Sequence, residues 1–282
     1  MPPLFPVTLA LQAVACTLYV VGVAQPLLRS PLRVARLVLL LAVLSQVADI
    51  AWLCLRGQHP GSSTREAVYF LSWLLVLAYP LLARRRPAPL IGALLLPMAM
   101  IMEIVVRLVP GATDPGPAAQ RQLLASAHIF CATIGTALFG LAAATSVVYL
   151  LSERHLKRHM LDAAQPRLPL QTLDDWNHQS ISFGLLSFTL TMVSGTYWLS
   201  TAGVGSVVTH SPAMATQLST LIRQPQYALS FLTWLIFAGL LLGRRVLGLR
   251  GRRAALWTLV GFAMAVSILG VYLLRDLRLP VP

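Results

Sequence analysis

The chain has 282 residues, of which 57% are hydrophobic and only 11% are Asp, Glu, Lys or Arg. A soluble domain carries about 25% charged residues, and one this apolar would expose large sticky patches, so the composition argues against a soluble fold and for burial in a bilayer. The formal net charge of +13 does not signal nucleic acid, because the basic residues sit in short segments between apolar runs, where they set orientation and meet anionic lipid headgroups.

A hydrocarbon core of ~30 Å is crossed by about twenty apolar residues in a helix. Eight such runs follow one another: roughly 4–28, 35–55, 67–83, 88–109, 123–151, 178–199, 226–243 and 254–274. The predicted class is therefore all-α, a polytopic transmembrane helical bundle of eight spans forming one domain over 1–282. The first run lacks a basic n-region and is long enough to span, so it reads as a membrane helix and not a cleavable signal. The fifth is long and projects into water where Glu153, Arg154 and Lys157 follow. Fifteen of the 22 Lys and Arg residues fall in one alternate set of connections and seven in the other. The richer side should be cytoplasmic, which places both termini outside. The expected location is a bacterial cytoplasmic (inner) membrane, with the lipid bilayer as an obligatory partner and no nucleic acid.

Ionisable residues inside spans are expensive and carry a functional hypothesis by default. Asp49 in the second run, Glu103 in the fourth and His128 in the fifth each lie five to seven residues from an outer helix end, roughly 8–10 Å deep at 1.5 Å per residue. Glu103 and Arg107 are spaced i,i+4 in the order that favours pairing, and a structural ion pair reaching the outer interface is one reading of them. Asp49 has no local partner and could meet Arg107 or orient His128. His128 could ligate haem iron or a metal through a neutral imidazole, or simply bond across helices. His178 opens the sixth run beside Trp176, as an interfacial anchor or a ligand. His59 and His210 fall in external segments, where either could supply a second axial ligand. His155 and His159 share an i,i+4 spacing among Arg154, Lys157 and Arg158, which reads as a solvated helix end.

Trp52, Tyr69, Trp73, Tyr197, Trp198, Tyr227 and Trp234 cluster towards the outer halves of their runs, as an interfacial belt would. Trp73 and Trp234 lie deeper, where they could wall a flat cofactor. Gly135, Gly140, Ala143 and Ala144 suggest close helix packing in the fifth run. Cys16, Cys54 and Cys131 read as apolar packing residues. There is no CxxC or CxxCH, no Walker A loop, no GxSxG elbow and no HExxH. Nor is there an internal repeat to favour an inverted-repeat transporter.

Three segments, SAHIFCATIGTALFGLAAATSVVYLLSERHLK at 126–157, LDDWNHQSISFGLLSFTLTMVSGTYW at 173–198 and LTWLIFAGLLLGRRVLGLRGRRAALWTLVGF at 232–262, together resemble the cytochrome c assembly superfamily of haem-handling membrane proteins. The nearest branch looks like the HemX/YpjD-type, CcsA-like proteins. The resemblance is good over about 123–275, with the assembly-like region running from about 67. It implies non-covalent haem b, with His128 at the first flanking histidine position and hence as iron ligand, and it raises interest in His178. It also implies cytochrome c maturation or tetrapyrrole-biosynthesis proteins as partners. The tryptophan-rich WWD-type segment of the exporting members is missing: a Gly/Ser/Thr-rich stretch follows Gly195-Thr196-Tyr197-Trp198. The second flanking histidine is missing too. The expectation is therefore a haem binder or chaperone, not an enzyme. The alternatives are a HemX-like regulator of tetrapyrrole synthesis acting through basic cytoplasmic loops, and an ion-coupled transporter using Asp49 and Glu103.

Overall fold

Long apolar runs can satisfy their backbone polar groups in lipid only by coiling into helices, and every regular element among the described residues is an α-helix. The computed structural model describes residues 3–24, 30–58, 61, 63–83, 88–108, 119–157, 168–204 and 225–277. Its helices are α1 Phe5–Ala24, α2 Ser30–Leu55, α3 Thr64–Leu82, α4 Pro89–Leu108, α5 Ala119–Lys157, α6 Leu170–Val204, α7 Pro225–Val246 and α8 Arg252–Leu277. Local chemistry sets several ends. Ser63 caps α3 by accepting the Glu66 N–H at 3.5 Å, and its hydroxyl in turn donates to the Glu66 carboxylate, so one of the orphan donors at the helix start is satisfied. Pro89 opens α4, where its missing N–H costs nothing.

Seven of the helices, all but α6, are long and apolar enough to cross a membrane. Helix α6 has 35 residues and ample length, but Asp174, Asp175, Asn177, His178 and Gln179 crowd its first turns and Ser and Thr recur beyond them. It begins eight residues before the predicted run, because the polar start belongs to the same continuous helix. At 39 residues, α5 is about 58 Å long by helical rise. It outruns the hydrocarbon core, and its Lys157–Glu153 ion pair at 2.7 Å lies in the final turn.

Helix α5 organises the packing. It pairs along its length with α6 and also touches α3, α4 and α8, while α1 packs on α2 and α4, and α7 on α8. One apolar core, built on Tyr19, Leu75, Tyr79, Leu95 and Leu141, fills the space among α1–α5. A second, on Phe139, Phe188 and Phe237, lies among α5–α8, where Phe139 and Phe237 stack at 3.8 Å between ring centroids. The close α5–α6 approach depends on glycines: a Cβ on Gly135 would sit 3.2 Å from the Gly184 carbonyl oxygen, and one on Gly184 would sit 2.8 Å from Phe139. The small residues of α5 thus do what their sequence suggests. Outward faces carry exposed Leu37, Leu44, Phe183 and Leu242, apolar surface suited to lipid tails. Cys16 and Cys131 are partly buried, but Cys54 at the end of α2 is exposed and does not pack in the core.

Candidate functional site

His128 sits in the N-terminal part of α5 against α6. Its Nδ1 lies 2.9 Å from the Thr191 carbonyl oxygen and 3.2 Å from Ser194 Oγ. The Ser194 hydroxyl itself donates to the Thr191 carbonyl at 3.0 Å. A carbonyl can only accept, so the imidazole proton is on Nδ1 and Nε2 keeps its lone pair. A backbone carbonyl that fixes this tautomer and ring orientation is the usual outer partner of a metal-ligating histidine. The ring also rests on Gly195, where a Cβ would come within 2.8 Å of His128 Cε1. The half-buried imidazole is thereby held on two sides by α6. Orientation of His128 therefore comes from the backbone of α6 and not from Asp49.

Two residues beyond His128, Phe130 meets Phe70 of α3 edge-on at 5.2 Å, and Phe70 stacks on Trp73 at 5.5 Å. The Trp73 indole N–H is buried without a hydrogen-bond acceptor. Trp234 takes a different place: its N–H donates to Thr189 Oγ1 of α6 at 2.9 Å, and its ring stacks with Phe231 at 6.4 Å. Trp73 and Trp234 thus belong to aromatic groups on α3 and α7, with no ring contact between them among the described residues. The side chain of Trp198, and His59 and His210 entirely, lie outside the described residues.

Asp49, Glu103 and Arg107 are brought into one buried layer of the α1–α4 half, but not as ion pairs. Asp49 Oδ1 accepts the Leu4 N–H at 2.9 Å, and its Oδ2 accepts the Tyr69 hydroxyl at 3.2 Å. Glu103 Oε1 accepts Gln12 Nε2 at 2.7 Å, Gln46 Nε2 at 2.8 Å and Ser72 Oγ at 3.2 Å. The Arg107 guanidinium instead lies over the Phe5 ring, 3.4 Å from its centroid. The expected Glu103–Arg107 pair is absent, as is any Asp49–Arg107 pair, because amide and hydroxyl donors reach the carboxylates first and the cation takes an aromatic face. Gln12 and Gln46, both fully buried, are the participants that the sequence reading missed. An uncharged amide within an apolar run was the available signal.

A second polar layer lies at the other end of the α5–α6 pair. Asn177 Nδ2 donates to the Ala142 carbonyl at 2.9 Å and to Ser146 Oγ at 2.8 Å, while its Oδ1 accepts Arg244 NH2 at 2.7 Å. Arg244 also pairs with Asp174 at 3.1 Å. His178 is exposed beside this layer, with its backbone carbonyl accepting the Ser182 hydroxyl. Along α6 it is 13 residues from Thr191, about 20 Å by helical rise, so His128 and His178 do not share one site. Asn177 and Arg244 were not singled out from the sequence, although polar residues at the edge of an apolar run mark their place. His155 is exposed, as expected of a solvated helix end, and among the described residues no group of three or more His, Cys, Asp or Glu side chains is placed to hold a metal ion.

Comparison with known proteins supplies a family. Cytochrome c biogenesis protein CcsA of Heterosigma akashiwo (strain NIES-293 / 8280G21-1) is 27% identical over 251 residues, covering 75% of this chain and 73% of the relative. CcsA of Parasynechococcus marenigrum is 27% identical over 270 residues, 84% of each chain. CcsA of Trieres chinensis is 24% identical over 250 residues, 76% of this chain and 75% of the relative. These relatives support the superfamily and not the HemX/YpjD-like placement within it. No solved structure matches. The model of the family described as Cytochrome C assembly protein matches residues 62–278, a stretch that takes in α3–α8, His128 with its α6 partners and the Asn177–Arg244 layer, and the chain belongs to that family.

Proposed function

We propose that the protein is a haem-handling membrane protein of cytochrome c biogenesis, acting as a binder or chaperone and not as an enzyme. The observation that carries this reading is His128, with its proton fixed on Nδ1 by the Thr191 carbonyl and its Nε2 lone pair free to ligate. A bound haem supplies an iron centre that such a lone pair can hold. The chain's residues fit that group. The imidazole is locked by α6, and the buried Trp73 indole N–H is a donor without an acceptor. Phe70 and Trp73 of α3, met edge-on by Phe130 of α5, provide an apolar aromatic surface beside α5. With no CxxCH in the chain, the haem is held non-covalently, as haem b. His210 is the second-ligand candidate. The missing WWD-type segment argues for holding haem over presenting it to an apocytochrome.

The setting we propose is a bacterial cytoplasmic membrane crossed eight times, with α6 as the eighth span, both termini outside and the Arg-rich connections in the cytoplasm. Lipid, haem and cytochrome c maturation proteins are the partners. Neither regulation of tetrapyrrole synthesis nor ion-coupled transport gains support from the fold or the family. The test is an absorption spectrum of the purified protein after haem supplementation. A Soret band that co-purifies with the protein and saturates on titration supports the reading; no Soret band at any haem ratio overturns it.

A further inference from the structure

The α1–α4 half holds a second chemical feature, independent of the haem reading. Gln12, Gln46, Ser72 and Glu103, one from each of four helices, are all fully buried. Their donors converge on a single oxygen, Glu103 Oε1, which accepts Gln12 Nε2 at 2.7 Å, Gln46 Nε2 at 2.8 Å and Ser72 Oγ at 3.2 Å. Gln46 Nε2 also reaches Ser72 Oγ at 2.8 Å, and the single Ser72 hydroxyl proton is shared between Glu103 Oε1 and the nearer Tyr69 carbonyl at 2.7 Å. Two buried atoms are left bare, Glu103 Oε2 and Gln12 Oε1. They belong to the two side chains already joined by the 2.7 Å bond from Gln12 Nε2 to Glu103 Oε1.

Buried polar atoms in native structures are almost always paired, and a buried charge needs a counter-charge or it neutralises. Among the described residues no charged group pairs directly with Glu103. Helix α1 offers only Gln12 and Thr8. The Asp49 carboxylate on α2 is engaged by the Leu4 N–H and the Tyr69 hydroxyl of α3. Arg107 on α4 lies over Phe5, and no ion pair joins it to Glu103. On α5, the imidazole of His128 is turned to α6. A metal cation fits poorly, because two NH2 groups point at the carboxyl group.

One proton accounts for both bare atoms. We infer that Glu103 is a proton-binding site, carried as a neutral carboxylic acid in a cyclic pair with Gln12: the acid O–H on Oε2 donates to Gln12 Oε1, and Gln12 Nε2–H donates to Glu103 Oε1. As the helices assemble the carboxylate takes one proton from hydronium in the bulk solvent: one O–H bond forms at Oε2, one breaks in hydronium, and water is left. The pair ties α1 to α4 without a net charge in the membrane, and the Gln46 and Ser72 donors add α2 and α3 to the same oxygen.

Infrared spectroscopy of the full chain in phosphatidylcholine–phosphatidylglycerol vesicles at neutral pH tests this. The expected result is a protonated-carboxyl C=O stretch that moves on 13C-glutamate labelling and is lost in Glu103→Gln. It should shift in Gln12→Leu and survive in Asp49→Asn. Loss of the band in Asp49→Asn, an unmoved band in Gln12→Leu, or an ionised-carboxylate signal sensitive to exchange of Na+ for K+ would each overturn the proposal. The chain has three glutamates, Glu66, Glu103 and Glu153, and the other two lie near helix ends outside the buried layer, so the labelled wild-type protein decides the question even if a variant fails to fold. A wild-type spectrum without any label-sensitive protonated band overturns it outright.

Discussion

At the scale of single residues, Gly195 and His128 form one unit. A methyl group at position 195 would lie 2.8 Å from His128 Cε1 and 3.2 Å from Nδ1, closer than real Cβ contacts allow, and an imidazole held by Thr191 cannot yield without losing that bond. Gly195→Ala should therefore weaken haem binding several-fold and alter the Soret band while leaving His128 in place; haem titration of the variant checks this, and unchanged binding would show that the ring is not held by α6. The intramembrane histidine itself was legible in the sequence, as an ionisable group in an apolar run. Its partner was not, because a backbone carbonyl is present at every residue and leaves no compositional trace. The spacing of Glu103 and Arg107 was legible but misleading. An i,i+4 rule describes an isolated helix surface, and here Gln12 and Gln46 from two other helices supply better placed donors.

At the scale of helices, the α5–α6 pair is held by glycine approach near its middle and by a polar clamp at the N-terminal end of α6. A Cβ on Gly184 would meet Phe139 at 2.8 Å, and Phe139 is pinned by its stack on Phe237. Gly184→Ala should cost about 1–3 kcal/mol, the usual range for overpacking a filled core, read as a lower thermal midpoint in detergent. Asn177→Leu removes one of the two acceptors of Arg244, leaving Asp174, and the donor to Ser146. Stranding buried polar groups costs about 1–3 kcal/mol, so a comparable drop is expected, and a stability equal to wild type would refute the clamp. Helix positions were legible because apolar length is a strong signal. The start of α6 was not, since Asp174 and Asn177 look like loop residues until Arg244 from α7 is placed beside them.

For the whole molecule, the asymmetry of basic residues sets the expected topology. Gln58 and Arg250 are both exposed and should lie on opposite sides of the membrane, Gln58 outside and Arg250 inside. In a background with the three native cysteines replaced, Gln58→Cys should react with an impermeant thiol reagent in intact cells and Arg250→Cys only after lysis. Both reacting from one side would break the eight-span arrangement. The two halves of the fold then divide the work: α1–α4 enclose the Glu103 layer, and α5–α8 carry His128 at one end and the Asn177–Arg244 clamp at the other. Family membership was legible from three segments of α5–α8. The internal order of the α1–α4 half was not, because its buried amides make contacts between helices that no single run reveals.

The proposed haem site depends on His128 presenting Nε2 to the iron. Its most direct test is the absorption spectrum of His128→Gly protein, loaded with haem under the conditions that load the wild type, with and without added imidazole. The expected result is a wild-type Soret band that is lost or shifted in His128→Gly and returns towards the wild-type position when imidazole fills the vacated place. A His128→Gly spectrum identical to wild type, with or without imidazole, would contradict it.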